Sequence, residues 1–177
     1  MSEEIEVPTE HLHEAMHEKA HEEGGFSLQV ALTSALIAAL AAVCALFSSS
    51  FADEAMMSRV KASDQWAYYQ AKSIKASVLS SKLDLLASLK HKPDDKDLAK
   101  VDEYKKDMEE ITKEAKNLEQ ESEEYARRNA LLAKGVTLFQ VAIALSAIAV
   151  LTKRRFLWGG GLLLGIGGTV FLFLGLH

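Results

Sequence analysis

Three stretches of the chain carry no charge and are mostly apolar: Leu28 to Phe51, Gly135 to Thr152 and Phe156 to Leu176. About 20 such residues suffice for a helix to cross the hydrocarbon core of a bilayer, so each stretch predicts a membrane span. Between the first two, Ala52 to Lys134 mixes Lys, Glu, Asp and Ser with isolated apolar residues. No Pro or Gly occurs from Ala52 to Lys90 or from Asp94 to Lys134. His91-Lys92-Pro93 separates two long helices, with Pro93 turning the chain and Asp94 and Asp95 favouring the start of the second. The expected architecture is all-α: an acidic tail helix over 1–25, a span over 26–51, a long antiparallel coiled-coil hairpin over 52–134, and spans over 135–152 and 156–176.

The second hairpin helix has a seam at Tyr104, Met108, Ile111, Ala115, Leu118, Ser122, Tyr125, Asn129, Leu132 and Val136, spaced alternately four and three. That repeat is the heptad of a left-handed coiled coil. It runs into the second span, so the helix is expected to pass unbroken across the water boundary. The first hairpin helix matches less strictly, with Met56, Val60, Ser63, Ala67, Ile74, Val78, Leu85 and Leu89 on its expected packing side. An arm of this length reaches about 60 Å at 1.5 Å per residue. In the third span Gly161 and Gly165 have the small-xxx-small spacing that lets helices approach closely, as do Ala35 and Ala39, and Ala38 and Ala42, in the first. Such faces serve either packing within one chain or joining of several.

Charge changes the picture in three ways. The near-zero mean hydropathy averages apolar spans with a charged middle, so it does not describe an ordinary soluble domain. Residues 52–130 hold 17 acids and 15 bases, a balance that excludes a nucleic-acid patch, which needs a basic excess on one face. Met1 to Gly25 has eight acids against Lys19. An acidic start is unlike a secretory signal, and the first span is expected to remain as an anchor. The single Cys44 lies in that span, cannot form an intramolecular disulfide, and reads as a packing residue. Lys153-Arg154-Arg155 forms a short basic turn of the kind retained in the cytoplasm, which places the N-terminus inside and the hairpin outside. Arg59 and Lys61, beyond the first span, pull the other way.

Candidate chemistry is sparse. The tail contains HEAMH and HEKAH, overlapping at His17, with Thr9 as N-cap and Gly24-Gly25 as its end. Imidazoles one helical turn apart beside a glutamate occur in zinc proteases, but a protease also needs a third ligand and a substrate cleft, and a tail of about 25 residues ahead of a span cannot form one. The expected state is a solvated helix face, with weak metal or proton sensing through His13, His17 and His21 as the sharper reading. The spans contain Gln29, Thr33, Ser34, Gln140, Ser146 and Thr169 and no ionisable side chain, which argues against proton-coupled transport. Gln140 and the hydroxyls remain candidates for lining a pore between several chains. Trp66, Tyr68 and Tyr69 form an aromatic cluster expected to pack on the facing helix near Tyr125, or else to contact a partner. No phosphate loop or nucleophile arrangement is present, so neither catalytic residues nor cofactors are expected.

The single span followed by WAYYQAKSIK at residues 66–75, the central hairpin and the two closely spaced final spans resemble a bacterial membrane family known as domain of unknown function 4337. The resemblance covers essentially the whole chain and implies a multi-pass protein of the bacterial inner membrane. It implies no catalytic or ligand residues. The expected role is a non-enzymatic scaffold or adaptor that lies in the lipid bilayer, self-associates and presents its stalk to a protein partner. A homo-oligomeric channel or stress-response membrane component is the second expectation, and a metal- or pH-responsive protein acting through the His-rich tail the third.

Overall fold

A computed structural model describes residues 25–92 and 94–177. Three helices make up nearly all of them: α1, Phe26–Ser88; α2, Asp95–Thr152; and α3, Arg155–Leu176. No strand occurs among the described residues, and each helix contains a segment long and apolar enough to cross a membrane. The tail with Thr9, His13, His17 and His21, and Pro93 in the expected turn, lie outside the described residues. α1 runs for 63 residues and α2 for 58. Such lengths are possible because neither contains Pro, α1 contains no Gly, and α2 contains only Gly135.

Both long helices close in the same way, without a glycine. At the end of α1 the backbone N–H of His91 donates to the Leu86 carbonyl at 2.9 Å and that of Lys90 to Ala87 at 3.0 Å, with Lys90 at φ 55°. At the end of α2, Arg154 donates to Ala149 at 3.2 Å and Lys153 to Val150 at 3.4 Å, with Lys153 at φ 53°. The paired bonds satisfy carbonyls that a helix end would otherwise leave open, at the cost of a left-handed residue. α2 opens on Asp94, whose Oδ1 accepts the Lys96 N–H at 3.0 Å. Asp95 and Asp97 complement the positive end of the helix dipole.

The described residues divide into two compact units, one of Asp53–Tyr125 and one of residues 25–52 together with Ala126–His177. In the latter, the three-helix unit, α1 buries Ser27, Val30, Ser34, Ile37, Ala41 and Cys44, at alternating spacings of three and four. α2 buries Leu132, Phe139, Ile143, Ser146 and Val150, and α3 buries Gly161, Gly165, Gly168, Leu172 and Gly175. α3 lies antiparallel to α2, with Gly161 against Ala142, Gly168 against Phe139 and Gly175 against Leu132. A side-chain carbon at Gly168 would come within 2.8 Å of the Phe139 ring, and one at Gly175 within 2.6 Å of Leu132 Cγ. Inside a bilayer water drives nothing together, so this close fit supplies the attraction.

In the two-helix unit the α1 and α2 segments are antiparallel. Ala55 is beside Ser122, Ser58 beside Glu121, Trp66 beside Glu119, Lys72 beside Asp107 and Lys82 beside Asp97. Every expected α2 seam position from Tyr104 to Tyr125 is wholly or partly buried. The α1 side differs from expectation. Met56, Val60, Ile74, Val78, Leu85 and Leu89 are exposed, and α1 instead turns Ser58, Ala62 and Ala76 inward, with Gln65, Tyr69, Leu79, Leu83 and Leu86 partly covered. The reason is steric. Small residues on both seams, Ser58 and Ala62 on α1 and Ala115 and Ser122 on α2, let the backbones approach, and the Ser122 hydroxyl comes within 2.8 Å of the Ala55 carbonyl, to which it donates.

Candidate interaction surface

The aromatic segment of α1 is drawn largely into the two-helix unit. Trp66 donates its indole Nε1–H to Glu119 Oε1 at 2.9 Å, and its ring meets that of Tyr69 edge-on, with centroids 5.7 Å apart. One turn further, the Lys72 ammonium is 2.5 Å from Asp107 Oδ2. It also lies 5.4 Å from the Tyr68 ring centre and 5.2 Å from that of Tyr104, within cation–π range. The hydrogen bond to Asp107 holds the Lys72 pKa above the ordinary lysine value, against an opposing pull from desolvation. Lys82 is raised in the same direction, chiefly by its bond to Asp97. The carboxylates and aromatic rings thus act as cross-links between helices. Tyr68 is the member of the aromatic set that stays exposed. A shallow groove of about 380 Å³ is lined by Tyr69, Lys105, Met108, Glu109 and Thr112.

In the three-helix unit the small-xxx-small pair of α3 faces the chain's own helices. A Cβ at Gly161 would stand 3.0 Å from the Ala142 carbonyl oxygen, and one at Gly165 would stand 3.2 Å from Ile37 Cδ1. Rings and guanidinium groups mark both ends of the unit. At one, Trp158 donates to Thr33 Oγ1 at 3.1 Å, meets Phe26 edge-on at 5.9 Å, and Arg155 lies 5.4 Å over Phe26. At the other, Arg128 lies 5.7 Å over Phe51. From Phe26 to Phe51 α1 rises about 38 Å, enough for the hydrocarbon core and part of the headgroup layer. Trp158 at one level is a residue type of the interfacial belts of membrane helices, and Arg155 and Arg128 place a basic side chain at each level. Between α1 and α2 of this unit, a groove of about 510 Å³ combines Ala45, Ala52 and Ala133 with Ser48, Ser49, Asn129, Thr137 and Gln140. Ser48 donates to Asn129 Oδ1 at 2.6 Å along it.

Among the described residues no group of three or more His, Cys, Asp or Glu side chains is placed to hold a metal. His13, His17 and His21 fall outside them. The structure brings together Trp66 and Tyr69 with Glu119, and Tyr68 with Lys72, Tyr104 and Asp107. It also shows contacts that a reading of the sequence misses. Lys72 follows Tyr68 by one helical turn and Asp107 follows Tyr104 by three residues, but charges are so frequent in this part of the chain that only the antiparallel register pairs the two. Gly161, Gly165, Gly168, Leu172 and Gly175 are spaced four, three, four and three, which marks a packing face longer than one Gly pair. A family model described as a domain of unknown function (DUF4337) matches residues 26–177. No curated protein and no solved structure matches the chain.

Proposed function

The chain belongs to the DUF4337 family, and from its contacts we propose that it is a non-enzymatic scaffold or adaptor of the bacterial inner membrane. In this reading it self-associates and presents a coiled-coil hairpin to a protein partner. One observation carries the proposal: α1 of the two-helix unit closes one side on α2 through Trp66–Glu119, Lys72–Asp107 and Ser122–Ala55, and leaves its opposite side apolar and open. The alternate four and three spacing on both inner seams supports the coiled coil. The Lys153-Arg154-Arg155 turn supports a cytoplasmic N-terminus with the hairpin outside.

A second reading, a homo-oligomeric channel, is favoured by the polar-edged groove at Ser48, Ser49, Asn129, Thr137 and Gln140. Liposomes containing the purified full-length chain separate the two. Ion flux above that of empty liposomes, abolished by Gln140→Leu, overturns the scaffold in favour of the channel. Cross-linked oligomers without flux support the scaffold. Orientation is read by labelling an Asp95→Cys variant in a Cys44→Ser background with an impermeant maleimide. Labelling of intact cells is the expected result.

A further inference from the structure

We propose that the open side of α1 is the self-association surface, and that its occupant is the same stripe of a second copy, packed in parallel. The inference rests on the scaffold reading and specifies its contact. Met56, Val60, Ile74, Val78, Leu85 and Leu89 are each between 52 and 70 % exposed, although large apolar residues outside a membrane normally find cover. Ser63, Ala67 and Ala71, also exposed, fill the middle of the same line, where two helices would approach most closely. The positions recur every eleven residues, as Met56, Ala67, Val78 and Leu89 do. That period is 3.67 per turn and keeps a stripe nearly straight along a helix. The stripe lies opposite Ser58, Ala62 and Ala76, the side already closed by α2. A helix apolar on two opposite sides has two faces to cover.

Area and charge both select the occupant. Residues 56–89 extend about 50 Å, and a stripe about 10 Å wide offers roughly 500 Å² per copy. Two copies together bury about 1,000 Å², the lower limit for a specific interface. The stripe is flanked by Arg59 and Asp84 on one side and by Asp64, Lys75 and Lys82 on the other. In a parallel, two-fold symmetric pair each flank faces the opposite flank of the second copy at nearly the same level. Arg59 then meets Asp64 of the second copy, twice by symmetry, and no like charges oppose. Connectivity selects parallel over antiparallel, because in both copies residues 26–51, the span, immediately precede the stripe. Two chains in one membrane therefore begin their stripes at the same surface.

The test uses the full-length chain in liposomes, in a Cys44→Ser background. Val60→Cys and Leu85→Cys variants are treated separately and mixed, under distinguishable tags, with a short bismaleimide. Linkage of position 60 to 60 and of 85 to 85, with no 60-to-85 product, is expected. The Arg59→Asp variant should lower the yield about twofold to fivefold, and adding Asp64→Arg should restore it. Val60→Glu with Val78→Glu should reduce linkage at position 85 about tenfold while helicity by circular dichroism is unchanged. A 60-to-85 product alone overturns the parallel arrangement. Absence of stripe linkage with strong linkage through Leu163→Cys, on the exposed side of α3, overturns the stripe and leaves self-association standing through the spans. No linkage at any site, with a monomer mass, overturns both.

Discussion

In the three-helix unit Phe139 and Leu132, both fully buried, are received by Gly168 and Gly175. In the two-helix unit the most buried residues are Ala62 and Ala115, and the long side chains reach across as Trp66–Glu119, Lys72–Asp107 and Lys82–Asp97. Both units space their seams alternately by three and four, yet they fill them with different material. The first relies on removing atoms so that backbones can meet rings, as membrane helices do. The second sets small residues of both helices at its most buried positions, with longer side chains beside them, and adds charge-assisted bonds at its edges. One unit should therefore fail when atoms are added, and the other when specific partners are removed.

The largest effect expected is at Gly168. Gly168→Leu forces a side chain into the Phe139 ring and should destabilise the three-helix unit by about 3 kcal/mol or more, read as a fall in the thermal midpoint in detergent. Gly159→Leu is the matched control, because nothing lies within 4 Å of a Cβ at that position, and should change stability by less than about 0.5 kcal/mol. Equal losses at both would mean that the glycines act through backbone freedom and not through fit. Next in size, Trp66→Ala removes an indole bond to a carboxylate and an aromatic pair, and should cost about 2 kcal/mol. Hydrogen exchange of the backbone around residues 60–75 and 110–120 should accelerate roughly thirtyfold. Trp66→Phe, which keeps the ring pair, should lose about half as much.

The same contrast explains what the sequence discloses. Charge-free runs make the spans legible, since length and apolarity are all that the bilayer demands. The α2 seam is legible because Tyr104, Met108, Ile111, Leu118 and Tyr125 are large and stand among charges. The α1 seam is hidden because Ser58, Ala62 and Ala76 are small, while a louder apolar series at Met56, Val60, Ile74 and Val78 occupies the opposite side. Hydropathy registers which faces need cover and not which partner covers them. Glu119 and Asp107 are hidden for another reason: each is one acid among the 17 of residues 52–130, and only the antiparallel register selects it.

Lys72 gives a smaller effect with a definite sign. Its pKa is raised in the folded chain by the bond to Asp107, so the protonated form is favoured by folding. The stabilisation is fully present below the ordinary lysine value of 10.5 and is lost as pH rises through the higher folded value. Thermal midpoints measured from pH 8 to 11.5 should fall more steeply for the parent than for Lys72→Arg, whose guanidinium stays charged throughout. Parallel curves would show that Asp107 does not hold Lys72 in solution.

The smallest effects compare the two units at a feature they share. Lys90, closing α1, and Lys153, closing α2, sit at φ 55° and 53°, where a side chain is strained and glycine is not. Lys90→Gly and Lys153→Gly should each stabilise by about 0.5–1 kcal/mol, seen as a higher thermal midpoint. Arg154 and Arg155 remain in the second variant, so the basic turn keeps most of its orienting charge. Equal gains would show that the turn geometry alone sets the strain. A gain at Lys90 with a loss at Lys153 would mean that the ammonium of Lys153 holds the turn at the bilayer surface, and that the short loop owes its shape to the membrane as much as to its own hydrogen bonds.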